Sequence, residues 1–159
     1  MDIVDKKTRS RMMSGIKGKN TLPELIVRKY LHAQGFRFRL HVNKLPGRPD
    51  IVLSKYKLCI FVHGCFWHHH DGCKYATIPK TRTEFWMKKF TLNKQRDIEV
   101  KMQLYGMGWR VFELWECGFS RGDNTSLTWL TESIYSNVIT LNWPDYLCSD
   151  GSPHSAKLY

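Results

Sequence analysis

Residues 62–73 read VHGCFWHHHDGC, and no other stretch limits the fold of this chain so tightly. Four of the seven histidines and two of the five cysteines fall there, with Phe66 and Trp67 side by side. The segment is too polar for plain core, yet it crowds soft metal ligands, proton-transfer groups and flat apolar rings together. Cys65, His70 and Cys73 supply three soft ligands from one loop, and Cys117, at a strand terminus, can supply a fourth. A Cys3His set is a complete tetrahedral shell of the closed, structural zinc kind. His68 and His69 compete as ligands, and buried free thiols beside exposed histidines are the plain alternative. Cys59, inside an apolar strand, reads as ordinary packing, and Cys148, in the tail, as incidental.

The elements around this loop follow from spacing. Residues 1–20 form a basic arm (Lys6, Lys7, Arg9, Arg11, Lys17, Lys19) able to close around a duplex by neutralising phosphates. A helix is predicted over 22–34: Thr21 and Glu24 have capping-box spacing, Pro23 sits in the first turn and Gly35 stops it. Leu25, Ile26, Tyr30 and Leu31 would form its core face. Alternation predicts a half-exposed strand over 36–42. The apolar runs 50–53 and 58–62 predict a hairpin with a four-residue loop. Pairing Leu53 with Leu58 would set Asp50 opposite Phe61, near the backbone of Val62 and His63.

A long helix follows, introduced by Pro79 and residues 81–84 and running to about 105. It mixes Lys88, Lys89, Lys94, Arg96 and Lys101 with Phe85, Trp86 and Phe90. A strand over 109–116 and a last helix from 124 or 125 to about 138 complete the order. This succession predicts an α/β domain, a central mixed sheet flanked by helices, with the long helix as a crossover into a parallel strand. The division is then arm 1–20, a main domain 21–140 and a loosely packed tail 141–159.

Charge narrows the partner. The net charge is +11, but residues 1–48 carry 12 Lys/Arg against 3 acids, whereas 49–159 are nearly balanced. A concentrated basic segment points to a polyanion, and nucleic acid is favoured because no apolar run approaches a membrane span. A solvated charged face is the bland reading. The first residues lack the apolar core of a signal peptide, which makes the cytoplasm the expected compartment.

Phosphodiester hydrolysis needs a divalent ion, a base or orienter for water, and help for the leaving oxyanion. Asp50 is an oxygen ligand suited to Mg²⁺, with a Val62 or His63 carbonyl as neighbour. His63 and His68 bracket that point, and Asp97, on the long helix, could orient an imidazole. Each has a duller explanation: Asp50 as a turn acid, Asp97 as an i+4 partner of Lys101, Glu24 as the capping-box acid.

Arg48, Pro49 and Asp50, followed by 62–73 as VHGCFWHxHxxC, resemble the very short patch repair (Vsr) DNA mismatch endonucleases. Residues 78–86 (IPxTRTEFW), 93–97 (NxxRD), 108–111 (GWRV) and 115–117 (WEC) follow in the family's order. The resemblance runs from about 8 to 117. It implies a restriction-endonuclease-like fold and an enzyme that nicks one strand 5′ to the thymine of a T:G mismatch in double-stranded DNA. Its substrate arises by deamination of 5-methylcytosine.

By motif position, Asp50 would hold a catalytic Mg²⁺ with the Val62 main-chain carbonyl, and His68 would activate water. His63 and Glu24 would complete the site, with Asp97 as partner of His68. Cys65, His70, Cys73 and Cys117 match the structural zinc ligands. Phe66, Trp67 and Trp86 match an aromatic wedge, Met13 a residue entering the other groove, and Lys88 and Lys89 are expected on the DNA. A mismatched step opens at lower cost than a matched one, so a wedge can discriminate through deformability.

The acid-x-Lys of the wider nuclease superfamily would fall on Phe61, Val62 and His63, where neither acid nor lysine stands. The histidines must take over that chemistry. A monomer is expected, with repair proteins acting downstream. A restriction-type endonuclease on an unmismatched site and a non-catalytic zinc-structured DNA-binding module are the alternatives.

Overall fold

A computed structural model of the chain describes residues 5–16, 18–119 and 126–145. Lys17, Cys148 and the expected start of the last helix at 124–125 lie outside the described residues. The first element, α1 (Lys6–Ser14), begins at Asp5, whose side chain accepts from the Thr8 amide, and it buries none of its residues. Residues 6–14 of the arm thus form a capped, solvent-facing helix.

In α2 (Leu22–Ala33) the Thr21 side chain accepts from the Glu24 amide and Pro23 sits in the first turn. The capping signals therefore work where the spacing placed them. The expected core face holds at three of its four positions: Leu31 is buried and Ile26 and Tyr30 pack against the core, while Leu25 is 47 % exposed and Glu24 and Val27 are buried instead. A stripe centred on 24, 27 and 31 follows the helical period better than one centred on 25.

The sheet has five strands in the order β1 (Arg39–Leu40), β2 (Ile51–Leu53), β3 (Leu58–His63), β4 (Arg110–Trp115) and β5 (Thr140–Trp143). β1–β2 and β2–β3 are antiparallel, and β3–β4 and β4–β5 are parallel. Leu53 pairs with Leu58 as the apolar runs predicted. The expected strand over 36–42 shrinks to two residues, because His41 takes a positive φ of 46° and turns the chain out of extended geometry.

Two corrections concern the C-terminal part. Residues 140–143, read as the end of the domain and the start of a loose tail, form β5. Trp143 is buried there against Trp129 and Phe119, at ring distances of 4.7 and 5.2 Å. The last helix, α4 (Thr128–Tyr135), stops short of 138. Arg110 gathers its final carbonyls, donating to Ser133, Ile134, Ser136 and Val138, so one side chain closes the helix end.

Alternation along the strands sorts the core into two layers. Ile51, Leu53, Leu58, Ile60, Phe112 and Leu114 pack with α2 and α4. Val52, Cys59, Phe61 and Val111 pack with Leu104 of α3 (Thr83–Gly106), the long crossover helix. Gly47 makes the close approach to α3 possible: at φ 71°, a Cβ there would lie 2.4 Å from Val100. His63 continues the Cys59–Phe61 face, so the strand end delivers it toward α3. The fold is α/β and restriction-endonuclease-like, as the sequence implied.

Candidate active site and metal centre

A cleft of about 890 Å³ opens where β2, β3 and α3 meet. Asp50, Glu24, His63, His68, Asp97, Val62 and Trp67 all line it, with Lys19, Arg48 and Arg96 supplying positive charge. Asp50 sits at the mouth of the hairpin, where its Oδ2 accepts the Val62 amide at 2.8 Å. Burial pushes its carboxyl up to about 6 despite that hydrogen bond. An acid held this way is under pressure to take a proton or a cation.

Glu24 lies behind Asp50. Its Oε2 accepts from the Asn20 amide at 2.9 Å and from Arg28 at 2.7 Å, so the residue both caps α2 and faces the cleft. Between the two acids stands His41, 3.7 Å from each carboxylate and 2.9 Å from Arg28. Glu24, His41 and Asp50 form a group that could hold a cation. Sequence reasoning passed over His41, since nothing in the alternating 36–42 segment sets it apart from an exposed strand residue.

On the other wall, His68 Nδ1 meets Asp97 Oδ2 at 2.7 Å. The dull pairing of Asp97 with Lys101 does not form. Lys101 Nζ instead reaches Glu113 Oε2 at 3.0 Å, and Glu113 Oε1 lies 3.4 Å from His63 Nε2. Burial pushes the His63 imidazole below its usual range. The His63 and His68 rings are 4.0 Å apart. Glu113 was also missed, although an acid inside the apolar run 111–115 was the available signal.

Behind the cleft, Cys65, His70, Cys73 and Cys117 are all buried, with their ligand atoms within 4.8 Å of one another. His70 Nδ1 lies 3.7 Å from Cys65 Sγ and 3.5 Å from Cys117 Sγ, and its ring stacks flat on Trp115 at 4.1 Å. The Cys65 amide is held by Glu116 at 2.9 Å. The Cys65 thiol is pushed far up by its hydrogen bond with Cys117 and by burial, and the Cys73 thiol by burial first. Such thiols ionise only if a cation joins them, and this donor set could hold one.

Phe66, Trp67 and Trp86 form a half-exposed aromatic group with ring distances of 5.2 to 6.0 Å. Lys89 lies over Trp67 and Trp86 at 5.3 and 5.4 Å, Lys88 is exposed, and Asn93 anchors the loop by donating to the Trp67 carbonyl at 2.9 Å. Met13 is 38 % exposed on α1. His69 stacks on Phe90 at 4.8 Å, so it packs the loop against α3 and lies outside both clusters.

Carboxylate-backed imidazoles beside a desolvated acid, in a basic cleft on a mixed sheet, are groups suited to phosphodiester hydrolysis of the nuclease type. The family model for the DNA mismatch endonuclease Vsr matches residues 1–74. The DNA mismatch endonuclease Vsr of Escherichia coli K12 is 39 % identical over 151 residues, 95 % of this chain and 90 % of that protein. The type II nicking enzyme V.NmeAIP of Neisseria meningitidis is 47 % identical over 73 % of this chain and 82 % of its own. V.XorIIP of Xanthomonas oryzae is 44 % identical over 75 % and 87 %. The chain belongs to the Vsr DNA mismatch endonuclease family and is a DNA endonuclease. That membership sets aside the non-catalytic DNA-binding module. Among the described residues no helix is long and apolar enough to cross a membrane.

Proposed function

We propose that the protein nicks one strand of double-stranded DNA 5′ to the thymine of a T:G mismatch, as a cytoplasmic monomer. The observation that carries this reading is the position of Trp67. It lines the cleft with Asp50 and His68 while its ring packs with Phe66 and Trp86. A wedge that opens a weak base step is therefore joined to the groups that would cut beside it. The names of the Neisseria and Xanthomonas relatives support nicking, and that of the Escherichia relative supports a mismatch.

Asp50 and the Val62 main-chain carbonyl would hold Mg²⁺, and the oxygen-donor chemistry of Asp50 with Glu24 behind it fits that ion. Bound there, the ion would polarise the phosphate. The protein's own residues then have distinct tasks. Asp97, as a carboxylate, accepts from His68 Nδ1–H, which leaves Nε2 as the nitrogen that takes a proton from water. Lys19, Arg48 and Arg96 hold the backbone phosphates. Lys88, Lys89 and Met13 extend the contact surface.

The buried set Cys65, His70, Cys73 and Cys117 would hold one structural zinc. With bonds of about 2.3 Å to sulfur and about 2.0 Å to nitrogen, a tetrahedral shell has S–N edges of about 3.6 Å. The separations of 3.7 and 3.5 Å from His70 Nδ1 agree with that edge and support zinc.

A denaturing-gel assay in Mg²⁺ on a T:G duplex and its T:A twin tests the reading. Nicking of the mismatch alone is expected. Equal cutting of both duplexes would replace it with a restriction-type enzyme acting on an ordinary site.

A further inference from the structure

The described residues bury two carboxylates, Glu24 and Glu113. Glu24 has a cap and an arginine to answer for it. Glu113 stands in the middle of β4 between Phe112 and Leu114, both fully buried. A charge there is costly unless it is paired and hydrogen-bonded. Its partners are Lys101, donating to Oε2 at 3.0 Å, and His63 Nε2, 3.4 Å from Oε1. Against its burial, these two hold the carboxyl below the usual range.

The geometry comes from the sheet and one helix face. Parallel register sets Phe61 opposite Glu113, and His63 follows Phe61 on the same side of β3. Lys101 lies one turn after Asp97 on α3. The same stripe of α3 thus serves both imidazoles, His68 directly through Asp97 and His63 through Lys101 and Glu113.

We infer that Glu113 is a positioning residue for the cleavage reaction. Held ionised by Lys101, it accepts from His63 Nε2–H and fixes the tautomer in which Nδ1 carries the lone pair. His68 has the opposite arrangement, with its proton on Nδ1 toward Asp97. The two rings, 4.0 Å apart, therefore hold complementary tautomers, each set by its own carboxylate. Without Glu113 nothing on β4 selects the His63 tautomer, and its lone pair would be shared between two directions. The inference rests on the reading of His63 as an active-site group.

The experiment uses full-length, metal-loaded protein and two variants. Glu113→Gln keeps the shape but offers an amide that can donate to Nε2. Replacing Glu113→Leu and Lys101→Met together removes both charges, so no ion is left unpaired and only the His63 Nε2–H loses its acceptor; the double variant is expected to remain folded. Both should slow single-turnover nicking of a T:G duplex by about 10- to 100-fold with duplex affinity unchanged. Nitrogen-15 NMR of the His63 ring should show Nε2–H in the parent, and Nδ1–H or a mixture in the variants. A stable double variant with the parent's rate would overturn the inference and leave the pair a structural one. An unchanged Nε2–H signal in Glu113→Gln would overturn it equally. The NMR signals are read without DNA, so they decide the matter even if a T:G duplex proves the wrong substrate.

Discussion

Two clusters grow from the same loop, and they are built in opposite ways. The Cys65–His70–Cys73–Cys117 set is sealed: every member is buried, His70 is stacked on Trp115, and the donors face one another. The Asp50–His63–His68 side is open, and its groups face the cleft with a second polar residue behind each: Val62 N–H, Glu113 and Asp97. If such a set holds a metal, as proposed, its closed shell leaves no position for water or substrate and serves stability alone. An open site needs its side chains oriented from behind, because nothing in front holds them. One loop does both because its turns carry Cys65, His70 and Cys73 into a buried cluster while His63 and His68 line the cleft.

If that division is right, damage to each side should register in a different measurement. The largest effect is expected from Cys117→Ser. Losing one donor of a sealed shell should release the metal and cost about 4 kcal/mol or more, lowering the melting temperature by about 10 °C. Metal analysis and calorimetry check this. Full metal content at parental stability would remove Cys117 from the ligand set and break the comparison.

His68→Ala should do the reverse. The ring is partly exposed and its loss leaves no buried partner, since Asp97 still reaches solvent. Stability should stay within about 1 kcal/mol of the parent. Single-turnover nicking should fall on the order of 10²- to 10⁴-fold with DNA affinity retained. A rate close to the parent's would shift water activation to His63.

The two clusters also differed in how far the sequence disclosed them. The sealed one was written in spacing, because three of its donors share a loop and soft ligands have few other uses together. The hairpin was legible too, since two short apolar runs joined by four residues suggested the Leu53–Leu58 pairing, and that pairing carried Asp50 to Val62. The relays behind the open site were not plain. His63 meets Glu113, and Glu24 meets His41, only after sheet pairing and a long crossover bring distant segments together. β5 was hidden for the same reason: four residues gain strand geometry from the burial of Trp143 against Trp129 and Phe119, which no local pattern announces. On α2 the expected core residues Ile26, Tyr30 and Leu31 do face the core, and only Leu25 was misplaced, because it is apolar and exposed while the neighbouring Glu24 is charged and buried.

The smallest expected effect is also the one that bears most directly on why the open side is open. Asp50 has a folded-state pKa of about 6 against an ordinary 3.8, with burial the leading cause. The native carboxyl thus binds its proton more tightly than the unfolded one. In buffer without added divalent cation, and with the sealed site left loaded, this residue should cost stability as pH rises from about 4 to about 6. The full penalty, up to about 3 kcal/mol, is present above that window and absent below it. Asp50→Asn carries no such charge, and its side-chain oxygen can still accept from Val62 N–H. Its stability relative to the parent should therefore climb across pH 4–6 and level off beyond, as read by chemical denaturation at each pH. Added Mg²⁺ should then stabilise the parent and not the variant, closing the gap. A gap that is flat with pH, or indifferent to Mg²⁺, would mean that Asp50 is neither strained nor waiting for a cation. The open cluster would then be, like the sealed one, complete without a visitor.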